Sequence, residues 1–224
     1  LDVGGESTRP GASEVSVEEE IRRVVPVVRA LAQEGLAVSV DTSKPEVMQA
    51  SLEAGACILN DIRAFELPGA EDVAARSGAG LVIMHMQGTP QNMQQNPHYD
   101  NLLKEVFMYF ARKVQQLRDL GVKDIILDPG FGFGKTVEHN YELLAHLEEF
   151  RIFELPLLAG VSRKSMIYRL LGTTPQEALN GTTVLDTICL LKGADILRVH
   201  DVREAVETVK IVEAMKKEGA KPME

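Results

Sequence analysis

Polar side chains follow almost every short apolar run of the 224-residue chain. At the ends of these runs stand Asp2, Asp41, Asn60-Asp61, His85, Asp128, Ser162-Arg163-Lys164 and Arg198-Val199-His200. The carboxylate and amide oxygens of Asp41, Asn60 and Asp128 accept hydrogen bonds, and they suit a ligand rich in N–H donors, for example an aminopyrimidine. A single Asp at such a position often only caps the next helix. The set as a whole therefore indicates a ligand site more strongly than any one member does.

Cationic groups gather near the end of the chain. The stretch Ser162–Ser165 follows one apolar run and opens a predicted short helix that reaches about Leu171. Backbone N–H groups at a helix N-terminus favour an anion, and a barrel often binds phosphate after its seventh and eighth strands. Strand alternation places Arg198 and His200 on the same side, where two donors can grip one phosphate group. The alternative is that Arg198 only pairs with Asp201 or Glu204.

Glycines and hydroxyls dominate the stretch Gly4–Gly11, which also contains Arg9 and Pro10. Glycine permits a positive φ, and proline fixes one corner of the chain. The stretch is either an ordinary surface turn or a loop that covers a substrate.

The string DPGFGFGKT at 128–136 ends like a nucleotide-binding P-loop. A P-loop needs a glycine five positions before its final glycine, so that backbone N–H groups can surround a phosphate. Pro129 occupies that position, and proline has no N–H to donate. A nucleotide loop is therefore not indicated, and Lys135-Thr136 is expected to open the next helix.

Composition and charge exclude several classes of function. The formal charge of −9 argues against a broad surface for nucleic acid or an anionic membrane, because such surfaces need clustered Lys and Arg. No run approaches the roughly 20 apolar residues that span a bilayer. The two cysteines, Cys57 and Cys189, lie in apolar runs, which favours buried reduced thiols and a cytoplasmic protein over a disulfide. The expected ligands are small molecules.

The sequence shows no arrangement typical of covalent or metal catalysis. No Ser-His-Asp or Cys-His nucleophile arrangement is evident, and no HExxH or CxxC spacing occurs. Any reaction is expected to proceed without a protein nucleophile, and no metal ligand is assigned within the chain.

Alternating apolar runs and helical patterns predict an α/β fold. Seven runs are candidate parallel strands: Leu1–Val3, Leu36–Val40, Cys57–Leu59, Leu81–Met84, Ile125–Leu127, Leu157–Val161 and Ile196–Val199. The segments between them have helical periodicity, with start signals such as Ser16 with Glu19 and Thr174 with Glu177. An open doubly wound sheet and a closed (β/α)₈ TIM barrel both fit this order.

The barrel is the favoured alternative, as one domain over residues 1–224. Polar groups after nearly every strand suit the C-terminal face of a barrel, where active sites are built. The chain also begins as if in mid-strand, which suggests that the first strand and helix of the barrel are missing from it.

Seven strings together resemble the dihydropteroate synthase family of bacterial folate biosynthesis. They are DVGGESTRPGA at 2–12, SVDTSKPEV at 39–47, NDI at 60–62, MHMQG at 84–88, LDPGFGFGK at 127–135, SRKS at 162–165 and RVHDV at 198–202. The resemblance runs to about Val212. It departs at the front, where the family's first strand and an Asn-containing loop are not found.

The resemblance implies roles for individual residues. The residues expected to bind the pterin ring are Asp41, Asn60, Asp128 and Lys164, with Ile62, Met84 and Arg198 flanking its faces. Arg198 and His200 are expected to hold the departing diphosphate. The residues expected to bind 4-aminobenzoate are Thr8, Arg9 and Pro10 in a closing loop, Phe133 against the ring, and Ser165 at the carboxylate. The catalytic set is expected to be Asp41, Asp128, Lys164, Arg198 and His200.

The resemblance also implies the reaction and its cofactor. Dihydropterin-methyl diphosphate loses diphosphate, and the amine of 4-aminobenzoate attacks the exposed methylene to give dihydropteroate. Mg²⁺ is expected as cofactor, with its Asn ligand in the missing front segment. A homodimer and a role as the target of sulfonamides, which mimic 4-aminobenzoate, are further family expectations. Two alternatives stay open: a pterin-binding methyltransferase, which has no need of SRKS and RVH, and a non-catalytic pterin-binding homologue.

Overall fold

The computed structural model describes residues 1–7, 13–89 and 92–219. These residues form two compact units, Leu1–Asp128 and Pro129–Glu224. All seven predicted strands are found in order, with helices between them. The single domain expected over the whole chain stays a prediction.

The first unit contains five parallel strands and four helices. The strands are β1 (Asp2–Gly4), β2 (Ser39–Asp41), β3 (Ile58–Asp61), β4 (Gly80–Met84) and β5 (Ile125–Asp128), and they pair in chain order. The helices are α1 (Val17–Gln33), α2 (Pro45–Glu53), α3 (Ala70–Ser77) and α4 (Leu102–Asp119). Four consecutive residues of β4, from Leu81 to Met84, are buried, as expected of a parallel strand covered on both faces.

The second unit contains two parallel strands and four helices. The strands are β6 (Leu158–Ala159) and β7 (Ile196–Leu197), and Ala159 pairs with Leu197. The helices are α5 (Val137–Ala145), α6 (Ser165–Leu171), α7 (Leu179–Leu191) and α8 (Val202–Gly219), with 3₁₀ helices at Leu147–Phe153 and Pro175–Glu177. Strand β7 is shorter than the sequence predicts, so Arg198 and His200 lie beyond its end.

Helix boundaries follow the side-chain caps that the sequence indicates. The Ser16 hydroxyl accepts a hydrogen bond from Glu19 N, and Thr174 forms a capping box with Glu177. Thr136 caps α5, which confirms Lys135-Thr136 as the entry to that helix. Each cap satisfies a backbone N–H that the first helical turn leaves without an intrahelical partner.

Both cysteines are free, as expected, but they differ in exposure. Cys189 is buried on α7, whereas Cys57 is exposed. The expected burial of Cys57 was wrong because this residue immediately precedes β3 and its thiol lies outside the apolar layer, 3.5 Å from the Val38 carbonyl oxygen. None of the described helices combines the length and the apolar character that crossing a membrane requires.

Asp186 is a buried carboxyl group on α7. Within the described residues its Oδ1 atom has no hydrogen-bond partner, and the side chain is 2% exposed. Burial, together with the nearby negative charge of Asp201, raises the pKa of Asp186 to about 6. The ionised form is therefore disfavoured in the folded protein.

We expect the Asp186→Asn variant to be more stable than the parent at pH 8. The unfolded carboxyl ionises near 3.8 and the folded one near 6, so the native state binds more protons within this window and stability falls as pH rises through it. The free energy of unfolding of the variant is expected to exceed that of the parent by about 2–3 kcal/mol above pH 6, and this excess vanishes below pH 4. Urea unfolding at pH 4, 6 and 8 measures it, and parallel pH profiles for parent and variant would contradict this assignment.

Candidate functional site

The register of the first sheet brings several predicted site residues to one face. Asp41 pairs with Asn60, Asn60 pairs with Val82, and Met84 pairs with Asp128. Val82 and Met84 are two residues apart, so their side chains share a face of the sheet. Asp41, Asn60, Met84 and Asp128 therefore lie on that face, close to the carboxyl ends of their strands. Asn60 and Asp128 are buried, which strengthens any hydrogen bond that they make to a ligand.

Asp2 also reaches this face and orients the Asn60 amide. The Asn60 Nδ2 atom donates to the two Asp2 carboxylate oxygens at 3.1 and 3.3 Å. With its NH₂ group turned toward Asp2, Asn60 presents its carbonyl oxygen as an acceptor for another group. The sequence identifies Asp2 as a polar residue at a strand end, but the pairing with Asn60 joins residues 58 positions apart and is visible only in the fold.

Asp61 points to the opposite face, because it follows Asn60 directly in β3 and pairs with Ile83. Its buried carboxylate accepts hydrogen bonds from the Ser43 hydroxyl at 2.5 Å and from the backbone N–H groups of Arg63 and Phe65. Burial raises the pKa of Asp61 despite these donors. Asp61 thereby stabilises the turn that contains Ile62, and it contributes to the site through this turn rather than by contact with a ligand.

Ion pairs surround a small cavity beside Asp41. The Lys44 ammonium group donates to Glu20 at 2.6 Å and to Glu6 at 2.8 Å. The cavity has a volume of about 60 Å³, and Asp41 and Ile62 are among its lining residues. Lys44 thereby joins three segments of the first unit: the start of the Gly4–Gly11 stretch, helix α1 and the loop after β2.

His85 does not join the site face. It is buried in an aromatic cluster, with its ring centroid 5.0 Å from that of Tyr109 and 6.1 Å from that of Tyr99. Its backbone N–H donates to the carbonyl oxygen of Asp128 at 3.1 Å. The structure therefore gives His85 a packing role within this aromatic cluster.

In the second unit, a buried lysine holds the turn that contains Phe133. The Lys135 ammonium group donates to the carbonyl oxygens of Gly130 at 3.0 Å and Phe133 at 3.1 Å. Asn140 on α5 accepts from Gly132 N at 2.7 Å, where a φ of +81° favours glycine. Lys135 is 3% exposed, so its role is to fix the turn rather than to meet a ligand.

Lys164 reaches the same turn from the start of α6. Its ammonium group donates to the Phe131 carbonyl oxygen and lies 5.0 Å from the centroid of the Phe133 ring, within cation–π range. A Cβ atom added at Gly160 would lie 3.8 Å from Lys164 Nζ and 3.6 Å from Arg198 Nε. The two cationic groups therefore approach each other over Gly160, next to an aromatic face.

Two side-chain contacts join the loop after β6 to the loop after β7. Ser162 Oγ lies 2.9 Å from His200 Nδ1, and Arg163 forms a two-point ion pair with Asp201 at 2.8 and 2.9 Å. The Arg163 guanidinium holds the pKa of Asp201 below its usual range. Asp201 thus pairs with Arg163, whereas the alternative open from the sequence paired it with Arg198.

Arg163 adopts a left-handed backbone conformation and fixes the turn before α6 through several hydrogen bonds. Its φ is +53°, its N–H donates to the Thr182 hydroxyl, and its side chain also donates to the carbonyl oxygens of Pro175 and Gln176. These contacts hold a conformation that non-glycine residues rarely adopt. Ser165 begins α6 directly after this turn.

The structure thus arranges the predicted residues in two groups. Asp41, Asn60, Ile62, Met84 and Asp128 belong to the first unit, and Phe133, Lys164, Ser165, Arg198 and His200 belong to the second. The predicted loop residues Thr8, Arg9 and Pro10 lie outside the described part of the chain.

Known proteins resemble this chain over nearly its whole length. A family model described as pterin binding enzyme matches residues 1–200. The dihydropteroate synthase of Escherichia coli K12 is 54% identical over 217 residues, which are 96% of this chain and 77% of that protein.

Solved structures agree over the same extent. A Yersinia pestis dihydropteroate synthase in complex with a sulfonamide drug has a TM-score of 0.94 and 51% identity, over 96% of this chain and 80% of that one. A Xanthomonas albilineans dihydropteroate synthase with 4-aminobenzoic acid has a TM-score of 0.91 and 42% identity, over 99% and 80%. The predicted α/β fold class, the (β/α)₈ TIM barrel, is confirmed by these likenesses.

We expect replacement of Lys135 by Met to destabilise the protein by at least about 2 kcal/mol, because two charge-assisted hydrogen bonds to carbonyl groups are lost from a buried site. Urea unfolding measures the change in the free energy of unfolding. The exposed Lys123 is a matched control, and Lys123→Met is expected to stay within about 0.5 kcal/mol of the parent. Equal effects of the two substitutions would show that Lys135 does not hold the turn.

Proposed function

The chain belongs to the pterin-binding enzyme family and, within it, to the dihydropteroate synthases, and from this membership we infer its reaction. It is a transferase of a pterinylmethyl group. The substrates are (7,8-dihydropterin-6-yl)methyl diphosphate and 4-aminobenzoate, and the products are 7,8-dihydropteroate and diphosphate.

The observation that carries the residue assignment is the shared face of Asp41, Asn60 and Asp128. The amino group and ring N–H groups of a pterin are hydrogen-bond donors, and these three side chains offer acceptors at neighbouring strand ends. A carboxylate that accepts from a heterocycle also stabilises positive charge on it. We assign pterin binding to these residues, with Ile62 and Met84 as apolar contacts for its ring.

In the second unit we assign Arg198 and His200 to the negative charge that develops as diphosphate departs. Arg198 and His200 hold the diphosphate, and Lys164 contacts the pterin. Phe133 lies beside the Lys164 ammonium group and offers an aromatic surface for the 4-aminobenzoate ring. Ser165, at the start of α6, meets the carboxylate of that substrate. Thr8, Arg9 and Pro10 are assigned to the loop that closes over it.

The mechanism needs no covalent attachment to the protein. The bond between the pterin methylene carbon and the diphosphate oxygen breaks, and its electron pair leaves with the diphosphate. Asp41 and Asp128 stabilise the resulting pterin cation by preorganised charge. The 4-aminobenzoate nitrogen then forms the new bond to the methylene carbon and loses a proton. Holding the two reactants in place accounts for about 7–11 kcal/mol of barrier reduction in favourable systems.

Mg²⁺ is proposed as an ion bound chiefly by the substrate. Within residues 1–7, 13–89 and 92–219, no three His, Cys, Asp or Glu residues are placed to hold a metal ion. Mg²⁺ commonly keeps several waters and binds through substrate phosphates with one or two protein ligands. Such an ion would neutralise charge on the diphosphate. No step of the mechanism is assigned to this ion.

We also propose that the protein is a cytoplasmic homodimer and that sulfonamides bind it in place of 4-aminobenzoate. Exposed apolar side chains on α7 and α8, among them Val184, Val206, Ile211 and Met215, support a protein–protein interface. The sulfonamide complex of the Yersinia pestis relative supports the drug site.

The reaction is tested by mixing the protein with both substrates and Mg²⁺ and measuring diphosphate release and dihydropteroate formation. We expect both products in equal amounts when 4-aminobenzoate is present, and no dihydropteroate when it is left out. Diphosphate release without any dihydropteroate would contradict the proposed transfer.

We expect Lys164→Ala and Arg198→Ala each to lower kcat/KM at least about tenfold, a loss of about 1.4 kcal/mol of transition-state stabilisation. The physical reasons differ: Arg198→Ala removes a positive charge that holds the departing diphosphate, and Lys164→Ala removes a hydrogen-bond donor that contacts the pterin. Lys123→Ala serves as the control and is expected to retain the parental kcat/KM. Unchanged turnover in both site variants would overturn these assignments.

A further inference from the structure

Ser162 is a buried residue whose hydroxyl makes two contacts with His200. Ser162 Oγ lies 2.9 Å from His200 Nδ1, and the His200 backbone N–H donates to the same oxygen at 3.3 Å. Ser162 is 5% exposed, whereas His200 is an exposed residue. The serine therefore contacts the inner side of the imidazole ring and leaves the outer side accessible.

The hydrogen-bonding capacity of Ser162 decides the direction of this contact. A hydroxyl has one proton to donate, and its oxygen can accept. The oxygen accepts from His200 N and keeps a second lone pair, so the direction is decided by the hydroxyl proton instead. Ser162 is 5% exposed, and among the described residues His200 Nδ1 is the acceptor within reach of that proton. A protonated Nδ1 would leave this buried O–H donor without an acceptor, which is unfavourable, so the hydroxyl is expected to donate to Nδ1. In that arrangement Nδ1 is the acceptor, and a neutral imidazole then carries its proton on Nε2.

We propose that Ser162 is a positioning residue that holds His200 as the Nε2–H tautomer, so that the outer ring nitrogen donates a hydrogen bond to the departing diphosphate. The inference deepens the proposed function, on which its diphosphate part rests. It assigns a role to the first residue of the SRKS string, which is uncharged and to which no substrate contact was assigned above.

A second link holds the two loops in register for this contact. Arg163 follows Ser162, Asp201 follows His200, and the two form a two-point ion pair. The Arg163 side chain also ties the segment to the Pro175 and Gln176 carbonyl oxygens. The Arg163–Asp201 ion pair, one residue along each loop, therefore helps to hold Ser162 and His200 within hydrogen-bond distance.

The tautomer is measured directly by nitrogen NMR of the histidine side chains. The chain has five histidines, and the His200 signals are assigned by their disappearance in His200→Gln. At about pH 8.5, where an ordinary imidazole is neutral, we expect His200 Nδ1 to resonate as an unprotonated nitrogen and Nε2 as a protonated one. In Ser162→Ala both signals are expected to move toward the averaged values of exchanging tautomers. A protonated Nδ1, or averaged signals in the parent, would overturn the proposal.

Inhibition by inorganic diphosphate gives the second readout. We expect Ser162→Ala to weaken inhibition by added diphosphate about fivefold, with a change of less than about twofold in KM for 4-aminobenzoate. Diphosphate is expected to inhibit the Ser162→Ala/His200→Gln double variant as strongly as it inhibits His200→Gln alone, because the serine acts through the histidine. Independent, multiplying effects in the double variant would contradict that route.

A matched control separates the contact from general loss of a hydroxyl. Thr187 on α7 donates its hydroxyl hydrogen bond to the Thr183 carbonyl oxygen at 2.8 Å, and Thr187→Ala is expected to leave both readouts at parental values. The NMR result requires no turnover. Absence of dihydropteroate formation would therefore reject the proposed reaction while leaving the tautomer measurement valid.

Discussion

The backbone register of the five neighbouring strands from β1 to β5 is the constraint on which the proposed pterin site depends. Parallel hydrogen bonding sets Asp41 beside Asn60 and Asp128 beside Met84. Side chains alternate between the two faces of a strand, so a slip of one residue in any pairing would exchange Asn60 for Asp61 or turn Asp128 away. Polar contacts on the two faces of β3 oppose such a slip, because Asn60 donates to Asp2 on one face and Asp61 accepts from Ser43 and from the backbone of Arg63 and Phe65 on the other. The register thus places the polar side chains of the proposed pterin site on one face of the sheet, at the carboxyl ends of the strands.

In the second unit, the candidate site residues are positioned by hydrogen bonds from lysine side chains to a turn rather than by strand register. Lys135 and Lys164 both donate to carbonyl oxygens of the turn that contains Phe133, but only Lys164 also lies against an aromatic ring and near Arg198. Lys135 is the more deeply buried of the two, and it stabilises the turn. In a protein with a formal charge of −9, the positive groups of this segment give an anion a local site that the overall charge does not provide.

Much of the fold could be predicted from the sequence, because strand ends and helix caps are local patterns. The seven strands and the caps at Ser16 and Thr174 were predicted in this way. The strand-end positions of Asp41, Asn60 and Asp128 follow from the same patterns, whereas Ile62, Met84, Phe133 and Ser165 were assigned to the site only through the family resemblance. The pairings Asp2–Asn60, Lys44–Glu20 and Ser162–His200 could not be predicted, since each joins residues that only the folded chain brings together. Burial of individual groups was also beyond sequence patterns, as the exposed Cys57 and the buried Asp186 show.

Calorimetric titration with a 6-substituted pterin that carries no leaving group tests the central assignment most directly. The Asp128 carboxylate is assigned to accept hydrogen bonds from the pterin, and its charge then favours binding. We expect Asp128→Asn, which keeps the shape of the side chain, to weaken pterin binding at least about tenfold, in line with loss of a charge-assisted hydrogen bond at a buried position. Equal pterin affinity of the parent and Asp128→Asn would contradict that assignment.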